Sequence, residues 1–260
     1  MVIDYTTLRF VDKVGDNLLF RGGTPVYRPP RSPWYFDYSG LQETMQFWVR
    51  QWPQSYYLVV VSLLDDTGDE QEVNIESQFF ASNPDLGQLI WWPIAGTPAC
   101  YFETDLADRD NLVRTLDDWM PDKIIERAGA LRYYLETGDL PTPGPSGVPY
   151  VFYVHCDGGC DRTGEMIATY RLRHQGWSWL SAWSEQPCLQ RPFPGPGDGP
   201  ALPQPMGCNN YRAAQWYAKW LKLELGFNLT DIGNDGGCAD TGLGVHQGCP
   251  CSGSKRLQQG

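Results

Sequence analysis

Between Pro149 and Met166 the chain reads PYVFYVHCDGGCDRTGEM. Tyr150 to Val154 is an apolar run of the length of one buried strand. A glycine-bearing turn spans Cys156 to Arg162, and Thr163-Gly164-Glu165 opens a helical pattern that lasts to about His174. A strand that passes through a tight loop into a helix gathers backbone N–H groups with no intrahelical partner at the positive end of a helix dipole. That arrangement binds anions, and the rest of the chain has to fold so as to hold it.

The residue types in the loop suit a phosphate-sized anion. Arg162 offers a planar fork that matches two phosphate oxygens. Gly158 and Gly159 let the backbone turn sharply and approach a ligand closely. The phosphate-binding set is therefore Asp157, Gly158, Gly159, Cys160, Asp161 and Arg162. Cys156 sits where the loop donors and a cation favour its thiolate. Thr163 can cap the helix and can offer its hydroxyl to the sulfur. Together these aim a nucleophile into an anion cradle.

His155-Cys156, five residues, then Arg162-Thr163-Gly164 resembles the H-C-x5-R-[S/T]-G signature of the cysteine-dependent protein tyrosine and dual-specificity phosphatases. The resemblance implies a phosphate monoester hydrolase that works in two steps without metal or cofactor. Cys156 attacks phosphorus to give a phosphocysteine, and water then releases phosphate. Arg162 clamps the phosphate, Thr163 assists departure of the sulfur, and His155 organises the loop by hydrogen-bonding backbone near Cys156. Leu19-Phe20-Arg21-Gly22-Gly23 is similar to the L-[Y/F]-R-[S/G]-G element of the smaller dual-specificity members, and the resemblance covers roughly residues 17 to 175. Arg21 itself reads as a surface or salt-bridge arginine.

The family also implies an aspartic acid that protonates the leaving group. Trp119-Met120-Pro121-Asp122 is similar to the W-P-D loop of the tyrosine phosphatases, and Asp122 lies 34 residues before Cys156. An aspartate opening a helix is also favoured by the dipole alone. Asp161 is the second candidate, because Cys160-Asp161-Arg162-Thr163 looks like the x-D-R-T ending of the myotubularin and Sac-type phosphoinositide phosphatases. Asp105, which follows the strand pattern Leu89 to Ile94, is the third. Cys160 has two readings. It is a small residue packed under the loop, or it forms a reversible disulfide with an oxidised Cys156.

The strand and helix patterns along the chain set the fold class. Asn17 to Gly23, Tyr56 to Leu64 and Leu89 to Ile94 read as further strands. Helical spacing covers Gly40 to Gln51, with Leu41, Met45 and Trp48 on one face, Val73 to Phe80, Asp108 to Leu116, Pro121 to Glu136, Gly176 to Glu185 and Asn209 to Leu225. Alternation of this kind predicts an α/β fold, a mostly parallel central sheet with helices on both faces. One catalytic domain over residues 1–230 is expected, with a Pro/Gly-rich insert at about 187–207, followed by a Gly/Cys-rich tail at 231–260.

A net charge of −11 disfavours nucleic acid or an anionic membrane as partner. No apolar run reaches the roughly 20 residues of a membrane helix. The expected partner is a phosphorylated protein, with a phosphoinositide or inositol phosphate as the alternative. Asp157 and Asp161, with no lysine between Cys156 and Arg162, weigh against a very anionic substrate. Eight cysteines and the sequon Asn228-Leu229-Thr230 point to an oxidising compartment. The absence of a signal pattern after Met1 and the need for a reduced nucleophile point to the cytoplasm, which is the expectation. Cys238, Cys249 and Cys251 do not have the spacing of a known zinc finger, and no metal site is expected. Two other classes stand beside the enzyme: a phosphate-binding pseudophosphatase that lacks a working acid, and a structural protein whose cysteines are paired.

Overall fold

The computed structural model describes residues 5–29, 31–101, 104–184, 208–230 and 232. Its centre is a five-stranded sheet made of β1 (Arg9–Val14), β2 (Asn17–Gly22), β5 (Tyr57–Ser62), β6 (Gly87–Trp91) and β7 (Tyr150–His155). The order is β1-β2-β7-β5-β6. β1 and β2 form an antiparallel hairpin, and every other neighbouring pair is parallel. The sheet is thus mostly parallel, with an antiparallel edge strand, β1, added to the expected set. A small pair, β3 (Val26–Tyr27) and β4 (Tyr35–Phe36), lies apart from it.

β5 and β7 are buried at every position. Their sequences are continuous apolar runs because both faces of the sheet are covered. Successive side chains point to opposite faces. Val59, Val61, Phe152 and Val154 pack with residues of α5 (Ile124–Thr137), α6 (Asp161–His174) and α8 (Cys208–Glu224). Leu58, Val60, Val151 and Tyr153 pack with Leu41 and Met45 of α1 (Tyr38–Gln46) and Phe80 of α2 (Glu70–Ser82). α3 (Leu106–Arg114), α4 (Leu116–Trp119) and α7 (Trp179–Ser184) complete the helices among the described residues. α6 is buried without a break from Thr163 to Leu172, because it packs against α5, α7 and α8.

Most boundaries lie within a few residues of the sequence reading, and the differences have local causes. α1 stops at Gln46, so Trp48 is 45% exposed beyond its end and lies under the Arg9 guanidinium at 5.2 Å. α2 starts earlier than the apolar pattern, with Glu70 and Glu72 in the first turn, where the dipole favours them. α5 starts at Ile124 and not at Pro121. Lys123 adopts a left-handed backbone, φ 48°, which no helix interior accepts. Its buried face is Ile124, Ala128, Leu131 and Leu135, as the spacing predicts. The insert at 187–207 and, apart from Ile232, the tail at 231–260 with Cys238, Cys249 and Cys251 lie outside the described residues. No described helix is long and apolar enough to cross a membrane.

Phe152 is fully buried at the centre of the sheet, whereas Phe47 is 95% exposed. Phe152→Ala is expected to lower unfolding free energy by about 3–5 kcal/mol, and Phe47→Ala to stay within about 0.5 kcal/mol of wild type. Urea denaturation with an unchanged m-value checks both.

Candidate active site

β5 and β7 are adjacent, and the chain leaves their carboxyl ends toward opposite faces of the sheet, β5 into α2 and β7 into α6. A crevice forms at such a divergence, and it is where ligands bind in open α/β sheets. The loop from Cys156 to Arg162 lies there. Cys156 follows the last residue of β7 and is 2% exposed; it is a free cysteine. Gly159 has φ +73° in the left-handed region, and a Cβ on it would overlap the backbone of Gly22 and Gly23. Of the two loop glycines, Gly159 is therefore the one the geometry requires.

Arg162 sits in the first turn of α6 and is held by the acidic loop that follows β5. Its Nη1 donates to Asp69 Oδ2 in a short contact, lies 3.7 Å from Asp65 Oδ2, and reaches Leu63 O at 3.5 Å. Burial works against the guanidinium charge, but the Asp69 hydrogen bond and the charges of Cys156, Asp69 and Asp65 more than offset it, and the Arg162 pKa rises. Asp65 is shaped for this position. Its Oδ1 accepts from Thr67 N at 2.9 Å, Thr67 Oγ1 at 3.0 Å and Gly68 N at 2.8 Å, and the Thr67 backbone bond leads the causes that lower its pKa. Sequence reading passed over Asp65 and Asp69 as an acidic loop. Their pairing with Arg162 spans more than 90 residues of chain and has no local signature.

The other wall of the loop is the end of β2. Thr24 N donates to Asp157 O at 2.8 Å, and Arg21 Nη2 donates to Gly159 O at 2.9 Å. Thr163 Oγ1 faces Gly22 O at 3.4 Å. Thr163 is thus the third residue of α6 and not its N-cap, which is Cys160. Tyr153 donates to Gly23 O at 2.6 Å, and a Cβ on Gly22 would overlap the Tyr153 hydroxyl. Arg21 is 1% exposed. The surface reading of this residue is corrected: it lies beneath the loop.

His155 and Glu76 are both fully buried, with His155 Nε2 2.9 Å from Glu76 Oε1. His155 Nδ1 is 3.3 Å from Cys156 O. Both ring nitrogens thus face an acceptor, one on α2 and one on the backbone of Cys156. Glu76 looked from sequence like any polar residue of an amphipathic helix.

Asp122 is held by a different set of partners. It is 1% exposed and accepts from Ala95 N at 2.9 Å and Gly96 N at 2.8 Å. It also faces Glu165, which is fully buried on α6 and accepts from Asn210 Nδ2 at 2.9 Å. Burial raises the pKa of both carboxyls, that of Glu165 far above the ordinary carboxylate range, with the Asp122 charge adding to it. Two backbone donors and the Arg127 charge favour the anion at Asp122, whereas at Glu165 burial and the Asp122 charge favour the neutral form. Each oxygen of Asp122 thus accepts from the 95–96 backbone, which is not part of the 156–162 loop. The remaining candidates, Asp161 and Asp105, are exposed, at the first residue of α6 and at the N-cap of α3.

Cys160 is disulfide-bonded, as is Cys100. Since Cys156 is free, the Cys160 bond is not the intraloop bridge to Cys156, and Cys160 is not merely a small residue packed under the loop. No described group of three or more His, Cys, Asp or Glu residues is arranged to hold a metal ion.

No protein-family model and no curated protein matches the chain. Among solved structures, the core catalytic domain of the PP-IP phosphatase SIW14 from S. cerevisiae is similar at a TM-score of 0.34 and 18% identity, over 71% of this chain and 76% of that one. TpbA from P. aeruginosa gives a TM-score of 0.31 and 19% identity over 80% and 85%. The PTP-2 phosphatase of Cydia pomonella gives 0.29 and 13% over 67% and 76%. Likeness at this level does not bear on activity; the loop and its partners do.

The Asp122–Glu165 pair has a consequence for stability. A carboxyl whose pKa is raised on folding binds more proton in the native than in the unfolded state, so stability falls as pH rises above the ordinary carboxylate range. Glu165→Gln keeps the shape, can donate to Asp122 and accept from Asn210, and carries no proton to lose. It is expected to melt higher than wild type at pH 8 and to flatten the decline between pH 5 and 8. Thermal melts across that range check it, and a wild-type slope retained by the variant would contradict the raised Glu165 pKa.

Proposed function

We propose that the protein hydrolyses phosphate monoesters through a phosphocysteine. The observation that carries this reading is the free, buried Cys156 and the Arg162 guanidinium at the two ends of one tight loop, between a strand end and a helix N-terminus. A phosphate lowered into the loop meets backbone donors and the Arg162 fork, and its phosphorus faces the Cys156 sulfur. The sulfur attacks, the P–O bond of the ester breaks, and the leaving oxygen takes a proton. Water then attacks the phosphocysteine, returning phosphate and the thiolate. Thr163 stands beside this exchange, and His155 holds the Cys156 backbone.

The proton donor is assigned to Asp161. It is exposed and directly precedes Arg162, whereas Asp122 is buried and accepts from backbone. Asp122 organises the 95–96 turn and positions α6 through Glu165.

A phosphorylated protein is the substrate class favoured over a polyphosphorylated inositol. Asp65 and Asp69 pair with Arg162, Asp157 and Asp161 lie in the loop, and no lysine lies within it, so a densely anionic ligand is repelled. The disulfides at Cys100 and Cys160 support an oxidising compartment over the cytoplasm as the place where this activity is used.

Hydrolysis of an aryl phosphate, measured without reductant and with EDTA, tests the reading. Wild type is expected to turn over, and Cys156→Ser to lose essentially all activity while still binding tungstate. Asp161→Asn should lose the basic limb of the pH–rate profile and about 10²-fold in kcat. Asp122→Asn should keep that limb and melt lower. Turnover that survives Cys156→Ser would sink the mechanism. Tungstate binding without any turnover in wild type would leave a phosphate-binding protein.

A further inference from the structure

Arg21 reaches the catalytic loop from a different strand, and the chemistry above assigns it nothing. We propose that Arg21 is a positioning residue for the phosphate: it holds the Gly159 carbonyl away from the cradle and places a second fixed positive charge beneath it. This rests on the phosphatase reading and deepens it.

The argument starts from the peptide bond. In a trans peptide the C=O and the following N–H point in opposite directions. A loop that binds an anion must turn its carbonyls outward, since a carbonyl oxygen aimed inward repels phosphate. Three carbonyls of the loop are taken by groups on its outside. Asp157 O accepts from Thr24 N at 2.8 Å, Gly159 O from Arg21 Nη2 at 2.9 Å, and Cys160 O from Gly164 N at 2.7 Å. Fixing these directs the N–H groups of Gly158, Cys160 and Asp161 to the opposite, concave side. The bond to Gly159 is the one made by a side chain, and it acts on the residue whose positive φ creates the turn.

Charge adds to orientation. Arg21 is wholly buried, which lowers its pKa to about 10, and it remains a cation at neutral pH. Cys156 leads the charged groups that favour its ionised form, with Arg9 opposing. Arg162, the other cation of the loop, is shared with Asp69 and Asp65. An incoming phosphate thus finds one cation engaged with carboxylates and a second fixed under the floor.

The experiment compares wild type with Arg21→Met and Arg21→Lys, using tungstate affinity and the alkylation of Cys156 by anionic iodoacetate against neutral iodoacetamide. For Arg21→Met, tungstate affinity and the iodoacetate-to-iodoacetamide rate ratio should each fall about tenfold, because a charge at close range is lost. Arg21→Lys should keep the rate ratio within about twofold yet bind tungstate several-fold more weakly, since an ammonium lacks the guanidinium's reach and fork. A purely structural role lowers the melting temperature and leaves the rate ratio unmoved. If Arg21→Met does not fold, Arg21→Lys decides: wild-type tungstate affinity in either variant overturns the proposal. An active wild type whose Arg21 variants bind tungstate unchanged defeats this inference alone. A wild type that neither hydrolyses esters nor binds tungstate defeats the phosphatase reading and this inference with it.

Discussion

The site rests on the parallel pairing of β7 with β2 on one side and β5 on the other. Gly22 and Ser62 are both level with His155 in the register. Three strands therefore end in one line, and the three segments that leave them are forced together. One is the Cys156 loop, another is Gly23-Thr24, and the third is the acidic turn of Asp65 to Asp69. Register has this authority because the side-chain period of a strand is two, and both faces of this sheet are buried. A slip of one residue would send Arg21 to the α1–α2 side and bring Phe20 toward α6. The continuous apolar runs of β5 and β7 and the placement of the Cys156 loop are thus one constraint seen at different places.

The loop is built over buried polar groups that an apolar core would omit. Arg21, the His155–Glu76 pair and the Glu165–Asp122 pair lie within or against the two cores. Taking such groups out of water is costly unless each is matched. Here each match ties a different element to the loop or to the first turns of α6: β2 through Arg21, α2 through Glu76, and the turn after β6 through Asp122. Such buried pairs do little for stability over apolar packing, but they admit few alternative arrangements. A loop that must hold its donors to within a fraction of an ångström needs that kind of support.

Much of this was legible in the chain. The strand–loop–helix pattern at Tyr150 to His174 and the run Val59-Val60-Val61 follow from local periodicity, and the structure places them as read. The residues that sequence reading missed or misplaced share a property. Arg21 meets Gly159, Glu76 meets His155, and Asp69 meets Arg162 across 138, 79 and 93 residues respectively. No local pattern encodes such a pair. A buried Glu on a helix has the same neighbours in sequence as an exposed one. Asp122 shows how a local pattern and distant partners can point to different roles. Its local context, a Trp and a Pro at a suitable spacing before the cysteine, resembled an acid loop, while its partners Ala95, Gly96 and Glu165 are set by how α5 and α6 dock. β1 has no such signal because its burial alternates poorly, with Val11 its one buried residue.

On the proposed reading, the contact between Arg162 and Asp69 also bears on which anions the loop prefers. Asp69 already supplies the guanidinium with one full negative charge at hydrogen-bonding distance. A ligand that takes its place returns that carboxylate to water and must offer Arg162 more than it gave up. A carboxylate, a phosphodiester or a sulfate ester carries a single charge and gains nothing in the exchange. A phosphate monoester above its second ionisation, near pH 6, brings two charges to the same fork. On that reading the ion pair is a competitor built into the protein, and it sets a threshold of ligand charge below which binding is a trade of equals.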